Sequence, residues 1–208
     1  EIVGDTFPKG VLSVLTGGAE LGASICAHPG IAAVSLVGSV PTGKAVLKSA
    51  ADSMKRTQLE LGGKNALIIC PDADLDAAIN GAVKGMNLGW TAGQSCGSTS
   101  RILVHASVYD AVVEGIEAAF AAVKLGDPLS LDTEMGSLST ASQFQRVTEY
   151  IASAKQEGAT IRVGATSDHA INDAISVHKD GFFVKPTLLV DVTPDMTIAR
   201  EEVFGPVL

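Results

Sequence analysis

Ile31-Ala32-Ala33-Val34-Ser35-Leu36-Val37-Gly38-Ser39-Val40-Pro41-Thr42-Gly43-Lys44 is the stretch that decides the fold. The run from Ile31 to Val37 is apolar apart from one serine and has the length of a buried strand. Gly38-Ser39 ends it, and a helix carrying Lys44 to Ala51 follows. Upstream, Val11-Leu12-Ser13-Val14-Leu15 stops at Thr16-Gly17-Gly18 and leads into a helical stretch from Leu21 to His28. Two strand-turn-helix units in succession predict parallel pairing and an α/β fold, because a parallel partner is reached only through a crossover.

Beyond them, Arg56 to Leu61 reads as a further strand, and Gly62-Gly63 breaks the chain before Ala66 to Cys70 resumes an extended run. A boundary between modules is expected there, giving residues 1–61 and 62–208. Pro71-Asp72-Ala73-Asp74-Leu75-Asp76 opens a helix toward Leu88 with carboxylates in its first turn, where they complement the helix dipole. Arg101 to His105 is a strand, Ser107 caps a helix to about Val123, and Asp127 to Ser139 is a loop. A helix from Thr140 to about Glu157, a strand from Thr160 to Val163, a polar connection from Ala165 to Lys179 and an extended run from Phe182 to Val190 complete the pass. No internal repeat is visible.

Composition narrows the function classes. The 208 residues are 46% hydrophobic, hold 22 glycines and carry a formal net charge of −8, which fits a soluble, tightly packed α/β protein and disfavours a phosphate-binding nucleic-acid surface. Apolar runs are strand-length, so no membrane span is expected. Glu1 to Lys9 lacks the basic start and apolar middle of a secretory signal. Cys26, Cys70 and Cys96 form no CxxC pair, which predicts free thiols in a reducing, cytoplasmic setting. His28, His105, His169 and His178 are scattered, so no metal site is expected.

Three places can carry chemistry. Cys96 stands in Gly93-Gln94-Ser95-Cys96-Gly97-Ser98-Thr99-Ser100-Arg101, a polar loop of small residues that lets an electrophile approach. Cys26 and Cys70 lie in apolar contexts and read as small core residues, leaving Cys96 as the candidate nucleophile. Glu60 sits between Leu59 and Leu61, where a partly desolvated carboxylate would suit a general base, though the pattern alone favours an edge-strand carboxylate facing water. Gly38-Ser39, at a strand end and helix start, suits a phosphate or is a plain βα turn. The surrounding residues match neither GxGxxG nor a P-loop.

Taken together, these residues resemble the aldehyde dehydrogenase superfamily. Leu59-Glu60-Leu61-Gly62-Gly63-Lys64-Asn65 is similar to its glutamate signature, and Gly93-Gln94-Ser95-Cys96 with Ser100-Arg101 to its cysteine signature. Gly38-Ser39 is similar to its phosphate-contacting turn, and Glu201-Glu202-Val203-Phe204-Gly205-Pro206-Val207 to the segment at the nicotinamide ribose. The resemblance implies part of a Rossmann-like parallel sheet, residues 1–61, as the C-terminal half of a dinucleotide-binding domain. An incomplete α/β catalytic domain, residues 62–208, would follow.

It further implies NAD or NADP as cofactor, Cys96 as nucleophile and Glu60 as the base that activates water. Gly38 and Ser39 would lie at the pyrophosphate, Leu61 beside the nicotinamide, and Glu202 and Phe204 at its ribose. The Cys96 amide would be one oxyanion donor. Trp90 matches the tryptophan that betaine-aldehyde and aminoaldehyde members turn toward a quaternary ammonium, with ordinary aromatic lining of an aldehyde tunnel as the other reading. The partners implied are a small aldehyde and further copies of the parent chain, as a homodimer or homotetramer. A chain beginning within the cofactor domain is expected to have little or no activity alone. A non-catalytic packing module and a CoA-acylating relative are the alternatives, and Glu60 counts against the latter.

Overall fold

The structure, a computed structural model, describes residues 6–164 and 181–208. His169, His178, the polar connection from Ala165 to Lys179 and the first five residues therefore lie outside the described residues. The chain divides into two compact units, Glu1–Leu61 and Gly62–Leu208.

In the first unit, helix α1 (Ala19–Ala27) precedes strand β1 (Ala33–Gly38), helix α2 (Val40–Ala51) and strand β2 (Arg56–Leu61). β1 and β2 pair in parallel, with Val37 opposite Glu60 and Gly38 opposite Leu61. α2 starts where it does because the Ser39 hydroxyl accepts the Thr42 amide at 3.3 Å and Pro41 occupies the first turn. Its inward face is Gly43, Val46 and Ala50, spaced for one side of a helix.

Two expectations fail here. Val11 to Leu15 is not a strand, and Val11, Leu12, Val14 and Leu15 are all exposed. An apolar run becomes a strand only by hydrogen bonding to a neighbour, and β1 and β2 pair solely with each other among the described residues. For the same reason β1 is not buried on both faces. Its residues alternate between exposed and half-buried, with Val37 exposed.

The second unit opens with β3 (Ala66–Ile69), then α3 (Leu75–Gly85), the short α4 (Leu88–Thr91) and β4 (Arg101–Val104), which pairs in parallel with β3. Asp74 caps α3 by accepting the Ala77 amide at 3.0 Å. A 3₁₀ turn (Ala106–Val108) leads into α5 (Tyr109–Ala122). Ser107 is not the cap of α5; its own amide is capped by His105 Nδ1 at 3.2 Å. After a loop comes α6 (Ala141–Glu157), started by Thr140 and ended by Gly158 in the left-handed region. β5 (Thr160–Val163) and β6 (Leu188–Val190) are antiparallel, and α7 (Thr197–Arg200) precedes the last segment.

The core of this unit joins Val112, Ile116 and Phe120 of α5 to Val147, Ile151 and Ala154 of α6, with Met86, Met135, Val184, Val203 and Val207 between them. Burying each such side chain stabilises by roughly 1.5–3 kcal/mol before entropy is counted. The last segment is part of this core, since Val203 and Val207 are each 1% exposed. Among the described residues, no helix is long and apolar enough to cross a membrane.

Candidate active site

The Cys96 loop is shaped by its backbone. Asn87 and Ala92, the residues flanking α4, are both left-handed, and Gly93 follows at φ +76°. A side chain at Gly93 would meet the Gly205 carbonyl, so only glycine lets these two loops touch. The Gln94 amide donates to Thr91 O, Ser95 to Gly93 O, Ser98 to Ser95 O and Thr99 to Gly85 O. Gly97 donates to Ser95 Oγ at 3.1 Å. Beneath them the buried Ser98 hydroxyl donates to Met86 O at 3.1 Å. The Gln94 carboxamide oxygen accepts both the amide and the hydroxyl of Ser139. Cys96 itself is exposed on top of this scaffold.

Asn65, from the turn before β3, holds the loop from the other side. Its Nδ2 donates to Cys96 O at 2.6 Å and to Ser98 O at 3.1 Å. Two residues earlier, the Gly63 amide donates to Glu202 Oε1 at 3.3 Å. A Cβ at Gly62 would land on the same carboxylate, so glycine is required for Glu202 to lie there. Arg101 ties the turn to the last helix, its guanidinium donating to Lys64 O at 2.9 Å and to Ala199 O at 3.0 Å. The half-buried Lys64 amine is pulled down from 10.5 to about 8 by burial and then by Arg101, with Glu202 opposing. The turn Gly62-Gly63-Lys64-Asn65 thus touches both the candidate nucleophile's loop and Glu202.

In the first unit, Gly38, Ser39, Glu60 and Leu61 gather at the C-terminal ends of β1 and β2. Glu60 is exposed, in keeping with the water-facing reading of its strand and without the partial desolvation of the other: the strand alternates, and Glu60 falls on the solvent side. Leu61 is half-buried and lies against Gly43, where an added Cβ would come within 2.9 Å of it. Gly38 has no side chain, and the Ser39 hydroxyl caps the N-terminus of α2, an end of a helix that carries partial positive charge.

Cys70 is exposed one residue past β3, contrary to its reading as a core residue, because β3 alternates outward and inward residues and Cys70 follows the buried Ile69 on the outward side. Cys26 is half-buried. Trp90 is 92% exposed on α4, beside a groove of about 770 Å³ lined by Val83, Lys84, Leu88, Ala119 and Glu134, which Cys96 does not line. Phe204 is 38% exposed and left-handed at φ +58°. Asn65, Lys64, Arg101 and Gln94 were not singled out from the sequence as site residues. The signal for them was a run of polar side chains inside motifs otherwise made of small residues.

Comparison with known proteins adds the following. The aldehyde dehydrogenase family profile matches residues 1–208. An aldehyde dehydrogenase of Talaromyces stipitatus is 48% identical over all of this chain. A betaine aldehyde dehydrogenase of Rhizobium etli is 42% identical over 97% of it. In both cases the chain spans 40% of the relative's length. Among solved structures, an aldehyde dehydrogenase of Bacillus cereus in complex with NAD+ superposes with a TM-score of 0.81 at 43% identity, covering 90% of this chain and 36% of that one. A betaine aldehyde dehydrogenase of Staphylococcus aureus in complex with NAD+ gives 0.85 at 38% identity, covering 94% and 37%.

Proposed function

The chain belongs to the aldehyde dehydrogenase family, and we propose that it supplies the nucleophile, the base and part of the cofactor seat for oxidising an aldehyde to a carboxylate with NAD or NADP. One observation carries the reading. A single turn, residues 62–65, donates to Cys96 O through Asn65 and to the Glu202 carboxylate through Gly63. A nucleophile and a ribose-binding carboxylate need a common rigid reference, and this turn is one.

In this reading Cys96 adds its thiolate sulfur to the aldehyde carbon and holds the substrate as a thiohemiacetal, then as a thioester. The amides around it are already committed within the loop, which leaves the Cys96 amide as the loop's oxyanion donor. Glu60 takes a proton from the water that cleaves the thioester, releasing the acid and returning the thiolate. Its exposure keeps it in reach of water. Gly38 and Ser39 would hold the cofactor's pyrophosphate, Leu61 its nicotinamide side, and Glu202 and Phe204 its ribose. The chemistry such a group supplies when bound is hydride acceptance. Residues 1–61 are then the end of a dinucleotide-binding domain and 62–208 the catalytic part.

The substrate we propose is a cationic aldehyde of the betaine or amino class. Trp90 offers an open indole face for a quaternary ammonium, and relatives of this chain act on such compounds by name. The test is aldehyde-dependent NADH formation by the full-length protein. Cys96→Ser should abolish it, and Glu60→Gln should leave a burst of NADH while turnover falls at least about a hundredfold. A Cys96→Ser enzyme of normal rate overturns the reading. Trp90→Ala weakening a neutral aliphatic aldehyde as much as betaine aldehyde overturns the substrate class.

A further inference from the structure

Helix α6 carries two stripes. Val147, Ile151 and Ala154 are buried and dock it to the core. The other stripe is Gln143, Arg146, Tyr150, Ser153 and Glu157, whose alternating steps of three and four put them along one side of the helix.

Every member of the polar stripe engages the segment from Thr197 to Phe204, directly or through a neighbour. Gln143 Nε2 donates to Val203 O at 3.0 Å and to Phe204 O at 2.7 Å. Arg146 donates to Glu202 O at 3.0 Å and to the Tyr150 hydroxyl at 3.0 Å, its guanidinium 4.9 Å above the Tyr150 ring. Tyr150 donates to Glu201 Oε2 at 2.6 Å. Glu157 accepts the Thr197 amide at 2.6 Å with one oxygen and the Ser153 hydroxyl with the other.

Three successive carbonyls, those of Glu202, Val203 and Phe204, are therefore capped by two side chains of one helix. They span the point where Phe204, a bulky residue, takes a left-handed backbone that persists only when its surroundings over-determine it. Docking α6 needs the apolar stripe alone. The polar stripe adds a fixed path for the backbone that presents Glu202 and Phe204.

We propose that Gln143, Arg146 and Tyr150 are positioning residues: by holding the backbone of residues 201–204 they set where the Glu202 carboxylate and the Phe204 ring stand. The consequence for cofactor affinity rests on the reading of Glu202 and Phe204 given above.

Backbone ¹⁵N relaxation on the 208-residue chain tests this without any cofactor. Order parameters at residues 202–205 should be about 0.85 in the wild type and fall below about 0.6 in the Gln143→Met, Arg146→Met double variant, while α6 and β6 stay rigid. Arg146→Lys, which keeps a donor, should hold the wild-type order at residue 202. Unchanged order in the double variant overturns the proposal, as does a loss of order spread through α6. Should the double variant not fold, Gln143→Met alone removes two donors at nearly constant shape and gives the same comparison. In the full-length protein, NADH titrated by fluorescence should bind roughly tenfold more weakly to the double variant, the effect of about one net hydrogen bond, with the rate of Cys96 carboxymethylation unchanged. Unchanged NADH affinity beside a disordered segment overturns the positioning of a cofactor site. A wild type that binds no NADH overturns the assignment of Glu202 and Phe204, and the order parameters still decide the clamp.

Discussion

The Gly63 amide reaches across 139 residues of sequence to the carboxylate of Glu202, and Gly62 beside it has no room for a side chain because that carboxylate fills the space. The glycine at position 62 is thus explained by a contact with a distant part of the chain, whereas Gly63 takes part through its backbone amide alone and has room for a side chain. Neither is needed for the turn's own backbone, since neither has a positive φ.

Gly62→Ala should fold, because the group it displaces is the end of a flexible side chain. Hydrogen exchange at the Gly63 amide should quicken as its acceptor leaves, with the urea midpoint shifting by at most about 1 kcal/mol. In the full-length protein, cofactor affinity should fall by about tenfold or more. Wild-type exchange at Gly63 would contradict the contact.

Asn65→Ala removes the side chain that donates to Cys96 O and Ser98 O. Losing two hydrogen bonds in a partly buried loop should lower stability by about 1–3 kcal/mol in urea. On the proposed role of Cys96, the turnover of the full-length protein should drop with little change in the aldehyde KM, since the proposed nucleophile is misplaced while substrate binding is kept. A rise in KM alone would argue against that role for Asn65.

Lys64→Met should stabilise the chain near neutral pH. The folded amine titrates at about 8 against 10.5, so the folded state binds fewer protons than the unfolded state between those values and stability rises with pH across that window. The destabilisation is complete below pH 8. It is relieved as pH approaches 10.5, so the advantage of the methionine variant should shrink over that range. Allowing for solvent at a half-buried amine, its size is on the order of 1 kcal/mol. Parallel urea stabilities of the two proteins from pH 7 to 10.5 would count against this.

Glu157→Gln loosens the start of α7. The Glu157 carboxyl is held below its ordinary 4.5 first by the Thr197 amide, then by the Ser153 hydroxyl. A depressed carboxyl contributes stability above 4.5 that is lost as pH falls through the folded value. The variant should therefore melt lower than wild type near neutral pH, and the two should converge in acid. A gap in Tm that persists well below pH 4.5 would assign the effect to something other than this carboxylate.

Local rules made β2, β3, β4 and β5 legible within a residue of their bounds, and the helix read from Thr140 to about Glu157 matches α6 to within a residue. The motifs around Glu60, Cys96 and Glu202 were legible too, because small and polar residues clustered where an apolar pattern would otherwise run. Val11 to Leu15 was misread since an apolar run specifies a strand only when a partner strand is there to bond it. Cys70 was misread because one step past the end of a strand changes a buried position into an exposed one.

By itself, then, the sequence determined the α/β character, the βα turn at Gly38-Ser39, and which thiol and which carboxylates are candidates, since these depend on neighbours along the chain. The tertiary structure alone decided what holds them. Asn65 under the Cys96 loop, Gly63 on Glu202, Gly93 against Gly205 and α6 over residues 201–204 are contacts between segments far apart in sequence. No periodicity or spacing encodes such partners, because a hydrogen bond depends on where two groups meet in space and not on how many residues separate them.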